Sequence, residues 1–160
     1  MPETVLQVDE VGQILTAATE EMLETMFFTG LIGPAEPSGE PGLAALVAFR
    51  GAPSGVCGVR MSEAAARDVA ANFVGAEVEE LEPAQIEQVV CEFANMICGS
   101  VVSRLESAVQ IELDPPRLVA AGDFNQPPDA NAAEIWFELE KGTLGLMLSL
   151  GPMPGAGGSA

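Results

Sequence analysis

Histidine is absent from all 160 positions. Within this chain that excludes a Ser-His-Asp or Cys-His nucleophile and any His-ligated zinc or iron site. Carboxylates, amides, hydroxyls and thiols are left to carry any chemistry. Basic residues are nearly as scarce. Six Lys and Arg stand against 24 Asp and Glu, giving a formal charge of -18 and a pI near 4.1. Nucleic-acid binding needs a local surplus of Lys and Arg, and so does attachment to an anionic membrane surface, so neither partner is expected. Cys57, Cys91 and Cys98 are odd in number and form no CxxC spacing, which fits a reduced, cytoplasmic chain without a Cys-ligated metal. The sequence lacks an apolar run of about 18 residues free of Pro and Gly clusters, so no membrane span is expected. Its opening Met1-Pro2-Glu3-Thr4 has no basic-then-apolar signal pattern.

What is present points to a folded domain. The apolar fraction is 48% and the mean hydropathy is +0.29, so the acidity does not imply disorder. The length suits one domain, expected over residues 1–150, with a Gly- and Pro-rich tail over 151–160 expected to be disordered. Ile14, Leu15, Ala18, Met22, Leu23 and Met26 recur at helical spacing, predicting a helix from Val11 to Phe28 that stops at Gly30. A loop rich in Pro and Gly follows over 33–42, where no regular structure is expected. Leu43 to Phe49 and Val56 to Met61 read as a hairpin. Ser62 reads as the cap of a helix that ends at Gly75. A second long helix is expected from Pro83, which suits a first helical turn, to about Leu105. Strands are expected around Val109 to Leu113 and Leu118 to Ala121. A loop over 123–131 leads to a hairpin of Ala133 to Glu140 and Thr143 to Leu150, turning at Lys141-Gly142. Of Trp136 and Phe137, which alternate on that strand, one is expected in the core and the other free to meet a partner. Helix followed by strands occurs twice. The expected class is α+β, a mostly antiparallel sheet with two long helices packed on it.

The second long helix carries the most informative pattern. At about 100° per residue, Ile86, Val89, Val90, Phe93, Ile97, Val101 and Leu105 form one apolar arc, flanked by Cys91 and Cys98. Gln85, Gln88, Glu92, Asn95, Gly99, Ser103 and Glu106 lie opposite. Arg104 falls toward the apolar side, where its stem can snorkel outward. For so acidic a chain the polar stripe is short of charge. Asn95 and Gly99 are also poor helix formers, each costing several tenths to about 1 kcal/mol against Ala. A flat ridge with a bare glycine suits docking against another surface. From spacing alone, an ordinary solvated face is the commoner reading of such a stripe.

The segment Glu92-Phe-Ala-Asn95-Met-Ile-Cys-Gly99 resembles the E-x-x-N motif of the CheX/CheC/FliY phosphatases of bacterial chemotaxis, and of their CheX-like members in particular. The pieces Glu21 to Met26, Gly55 to Met61, Phe73 to Gly75 and the final strands follow in the family's order, so the resemblance covers roughly residues 10 to 150. It implies the pseudo-duplicated fold of that family. It also implies hydrolysis of the aspartyl-phosphate of a CheY-like response-regulator receiver domain. By the resemblance, the Asn95 amide would orient a water for in-line attack and Glu92 would pair with the regulator's active-site lysine. Gln88, Gly99 and Ser103 would complete the docking ridge. Mg²⁺ would sit on the regulator, so no cofactor or metal is expected on this chain. Gln88 stands where the family often has Asp or Ser, and Pro115 and Pro116 come earlier than the family's downstream proline. On the first helix no asparagine follows Glu20, Glu21 or Glu24 at the motif's spacing, so one site per chain is expected, as in CheX-like members.

Other features read as structural. Glu77, Glu79, Glu80 and Glu82 form a solvated connector, and Asp123 and Asp129 lack calcium-loop spacing. A non-catalytic, dimeric adaptor of the same fold is the alternative function. The resemblance also implies a homodimer, since CheX-like members pair through their sheets, and a strand such as Val56 to Met61 could offer an edge. Because receiver domains tend to be acidic too, long-range steering toward them is expected to be weak or repulsive.

Overall fold

The computed structural model describes residues 8–25, 31–37, 41–51, 54–105, 111–120 and 131–150. The tail after Leu150, the loop over 121–130, residues 106–110 and the expected end of the first helix at Phe28 lie outside the described residues. Three helices, α1 (Val8–Thr25), α2 (Glu63–Val74) and α3 (Pro83–Arg104), accompany seven strands. These are β1 (Leu31–Pro34), β2 (Gly42–Arg50), β3 (Gly55–Ser62), β4 (Glu112–Leu113), β5 (Arg117–Val119), β6 (Asn131–Leu139) and β7 (Thr143–Leu150).

The sheet is antiparallel in every pairing, in the order β1-β6-β7-β3-β2-β4, with β5 also on β2. Alternation along the strands sorts its two faces. Ala45, Val47 and Phe49 of β2, Cys57, Val59 and Met61 of β3, and Leu144, Leu146 and Leu148 of β7 share one buried cluster with all three helices. Burying a large apolar side chain in such a layer contributes about 1.5–3 kcal/mol, and Phe49, Phe93, Leu15 and Leu146 are among those fully buried. The opposite face holds a smaller cluster of Ala44, Leu46, Val56, Trp136 and Met147.

The helix ends follow from their residues. Ser62 Oγ accepts the Ala65 amide at 3.3 Å as the N-cap of α2, and Gly75 closes that helix at φ 73° with its amide on Ala71 O. α3 opens with Pro83 after a capping box, in which Gln85 Oε1 accepts the Glu82 amide at 2.8 Å. No described helix is long and apolar enough to cross a membrane.

Four expectations need correction. α1 begins earlier than Val11, at Val8. β1 runs into the loop expected over 33–42, taking in Gly33 and Pro34, and pairs with β6 from Leu31↔Leu139 to Pro34↔Phe137. Local sequence opposes that strand, and the partner strand supplies it. β3 cannot offer an edge, because β2 pairs along one side of it and β7 along the other. Neither Trp136 nor Phe137 is free. Trp136 is buried on the second sheet face with its Nε1 donating to Glu134 at 2.7 Å, and Phe137 packs against the main core.

Candidate functional site: the outward ridge of α3

α3 packs against α1, α2, β2 and β3, so it occupies the middle of the helical layer. Its inner side is fixed by Val89, Val90, Phe93, Ala94, Ile97, Cys98 and Val101, all buried. Cys98 therefore belongs to the core, while Cys91 is half-buried. Burial, followed by the nearby Glu87 carboxylate, pushes the Cys91 thiol pKa up. A neutral, half-buried thiol is a poor nucleophile, and no catalytic role follows from it.

Fixing the inner side turns the polar stripe outward. Gln88, Asn95, Gly99 and Ser103 all fall within about 60° of the direction of Glu92 around the helix axis. Gln88, Glu92 and Ser103 are exposed, and Asn95 and Gly99 are half-buried. Glu92 and Asn95 stand about 4.5 Å apart along the axis, so one approaching group can meet both. A Cβ built on Gly99 would find nothing within 4 Å. Among the described residues the glycine therefore relieves no clash; it keeps one stretch of the ridge bare. The Ser103 hydroxyl donates to Ser100 O at 2.9 Å, which turns it back along the helix.

The spacing thus brings all five expected site residues onto one surface. One neighbour escaped notice. Met96, half-buried and about 40° around from Glu92, borders the same ridge. It is not among the expected site residues, although its helical angle places it beside Glu92; its side chain also packs against the main core. Pro115, exposed, and Pro116, half-buried, lie between β4 and β5.

Arg104 ends the helix as a link. Its guanidinium donates to Glu21 Oε1 on α1 at 2.8 Å and to the Ser100 hydroxyl one turn back. Its stem does snorkel outward, to a carboxylate on the neighbouring helix. Among the described residues no group of three or more Cys, Asp or Glu side chains could hold a metal ion. Chemically, the ridge offers a carboxylate that can pair with a cation and a carboxamide that can donate and accept hydrogen bonds without titrating.

Comparison with known proteins gives this surface a context. No curated protein matches the sequence. Chemotaxis protein CheX from Vibrio vulnificus is similar in structure, with a TM-score of 0.73 and 17% identity, covering 94% of this chain and all of that one. CheX of Borrelia burgdorferi, in a CheX–CheY–BeF3–Mg²⁺ complex, aligns at TM-score 0.71 and 17% identity over 89% of this chain and 98% of that one. FliY of Thermotoga maritima is a more distant relative in shape, at TM-score 0.60 and 18% identity over 93% and 92% of the two chains. At such identities the structures establish a shared fold. The family model described as chemotaxis phosphatase CheX matches residues 43–140, a span that includes all but the first residue of β2 and the whole of β3, α2 and α3. On that match, the chain belongs to the CheX family of chemotaxis phosphatases.

Proposed function

We propose that this chain hydrolyses the aspartyl-phosphate of a CheY-like receiver domain, with Asn95 and Glu92 as its working residues. The observation that carries the reading is the pairing of an exposed Glu92 with a half-buried Asn95 on the outward side of α3, beside a glycine without steric need. The Borrelia relative, seen with CheY, BeF3 and Mg²⁺, supports the choice of partner.

In this reading the receiver domain docks on the ridge through Gln88, Gly99 and Ser103. The Glu92 carboxylate pairs with the regulator's active-site lysine and sets the register. The Asn95 carboxamide holds a water in line with the P–O bond of the aspartyl-phosphate. That water attacks phosphorus, the aspartate carboxylate leaves, and inorganic phosphate is released. An amide has no useful pKa, so Asn95 acts by orientation, converting a diffusing water into a placed one. Mg²⁺ belongs to the regulator, where it offsets charge on the transferring phosphoryl group. The same proposal places both proteins in the cytoplasm and makes this chain a homodimer. Because β3 is paired on both sides, the dimer cannot form by edge pairing through it; a clean monomer in sedimentation at micromolar concentration would exclude the dimer.

The test is phosphate loss from a Mg²⁺-loaded, phosphorylated receiver domain with and without the chain. Acceleration supports the phosphatase reading. Binding without acceleration for every cognate regulator would leave the adaptor reading in its place.

A further inference from the structure

The helical layer also contains a recess, away from the ridge. A cavity of about 430 Å³ opens where α2, the short 3-10 helix Val78–Glu80 and the start of α3 meet above β2. Its apolar floor is formed by Leu43, Ala66, Val78, Leu81 and Ile86. That volume lies within the range of pockets that take a ligand or an anchoring side chain. Leu43, Val78, Leu81 and Ile86 are only half-buried, so apolar surface remains open to solvent there. The rim is charged. Glu63, Glu79 and Glu87 stand exposed around it against one guanidinium, that of Arg67.

The recess is separate from the proposed phosphatase surface. Ile86 and Glu87 point about 120° and 140° away from Glu92 around the axis of α3. An occupant here leaves the ridge open.

We propose that this recess docks a segment of a partner protein that inserts one large aliphatic or aromatic side chain next to a lysine or arginine. The apolar floor accounts for the inserted side chain, since covering exposed apolar area is the main source of affinity at such an anchor. The surplus of carboxylates accounts for the flanking cation and disfavours an acidic segment, which would face like charges. The two demands together select a basic, amphipathic stretch of chain over a purely charged or purely apolar one.

The full chain, labelled with ¹⁵N, tests this by NMR titration with three peptides. Lys-Lys-Leu-Lys-Lys should shift the amide signals of Ala66, Val78 and Ile86. Lys-Lys-Ala-Lys-Lys should bind about tenfold more weakly, the loss expected when a leucine anchor becomes alanine. Glu-Glu-Leu-Glu-Glu should not bind. Joint Glu79→Lys and Glu87→Lys substitution should weaken the leucine peptide about tenfold. Glu20→Lys with Glu24→Lys, the same charge change on the exposed side of α1, should alter it less than about twofold. The proposal is overturned if the leucine and alanine peptides bind alike, if the glutamate peptide binds, or if both double variants weaken binding equally. The last result would mean attraction to an acidic chain in general.

Discussion

Arg104 Nη2 donates to Glu21 Oε1 at 2.8 Å, joining the last turn of α3 to α1 across a sequence separation of 83 residues. The two side chains are 31% and 51% exposed, so water screens the pair and its Coulomb term is small. We expect a double-mutant cycle of Arg104→Ala and Glu21→Ala, read by urea denaturation, to give a coupling of about 0.2–1 kcal/mol. Arg104→Ala alone should cost more than Glu21→Ala, because it also removes the contact with Ser100 and the packing of its stem. Equal single-variant losses would contradict this assignment.

Ser62 holds two separate elements with one oxygen. Its Oγ accepts from Ala65 N at 3.3 Å, capping α2, and from Thr143 N at 3.0 Å, tying down the β6–β7 turn. Ser62→Ala should therefore cost more than an ordinary cap, about 2–3 kcal/mol, since the amide of Thr143 is stranded as well. Gly142→Ala should also destabilise, by about 1–3 kcal/mol. Its backbone sits at φ 99° and a new Cβ would lie 2.2 Å from Ser62 Oγ. Chemical denaturation measures both; losses below about 0.5 kcal/mol would refute the shared-acceptor role.

Gly99 separates folding from recognition. With nothing within 4 Å of its Cβ position, Gly99→Ala should stabilise α3 by up to about 1 kcal/mol. If the bare ridge is a docking surface, the same change should weaken binding to the receiver domain, and Gly99→Leu should weaken it further. A variant that gains stability and binds unchanged would remove Gly99 from the interface.

A buried thiol is expected to weaken the fold at alkaline pH. The hydrogen bond to Cys98, then burial, hold the Cys57 thiol well above its ordinary pKa of 9.0. Below that value both folded and unfolded chains keep the proton. Above it the unfolded chain loses the proton while the folded one retains it, so the unfolding free energy falls as pH rises past about 9. With no tyrosine and Lys141 as the sole lysine, few other groups titrate there. Denaturation midpoints between pH 7 and 10 should show the decline, and it should be smaller in Cys57→Ala. An identical decline in that variant would assign it to other groups.

The legible parts of this fold are those whose cause is local. The cap at Ser62, the stop at Gly75, Pro83 at the start of α3 and the turn at Lys141-Gly142 all follow from preferences of a few adjacent residues. The face of α3 was equally readable, because a 3.6-residue period needs no knowledge of the partner elements. What stayed hidden depends on distant pairing. β1 exists only through β6. The bond from Thr143 to Ser62 spans 81 residues, and neither residue announces it. The central place of β3 is a topological fact, which its own alternation could not reveal. The recess beside Arg67 likewise needs α2 and α3 brought together before its floor and rim exist.

The central claim is that Asn95 places the attacking water while Glu92 fixes the partner. Its most direct test is the rate of phosphate release from a Mg²⁺-loaded, phosphorylated CheY-like receiver domain, measured with the native chain, Asn95→Ala and Glu92→Ala. We expect Asn95→Ala to lower the maximal rate by about 100-fold or more with little change in affinity for the receiver. Glu92→Ala should weaken affinity as well as rate. An Asn95→Ala chain that turns over at the native rate would contradict the account.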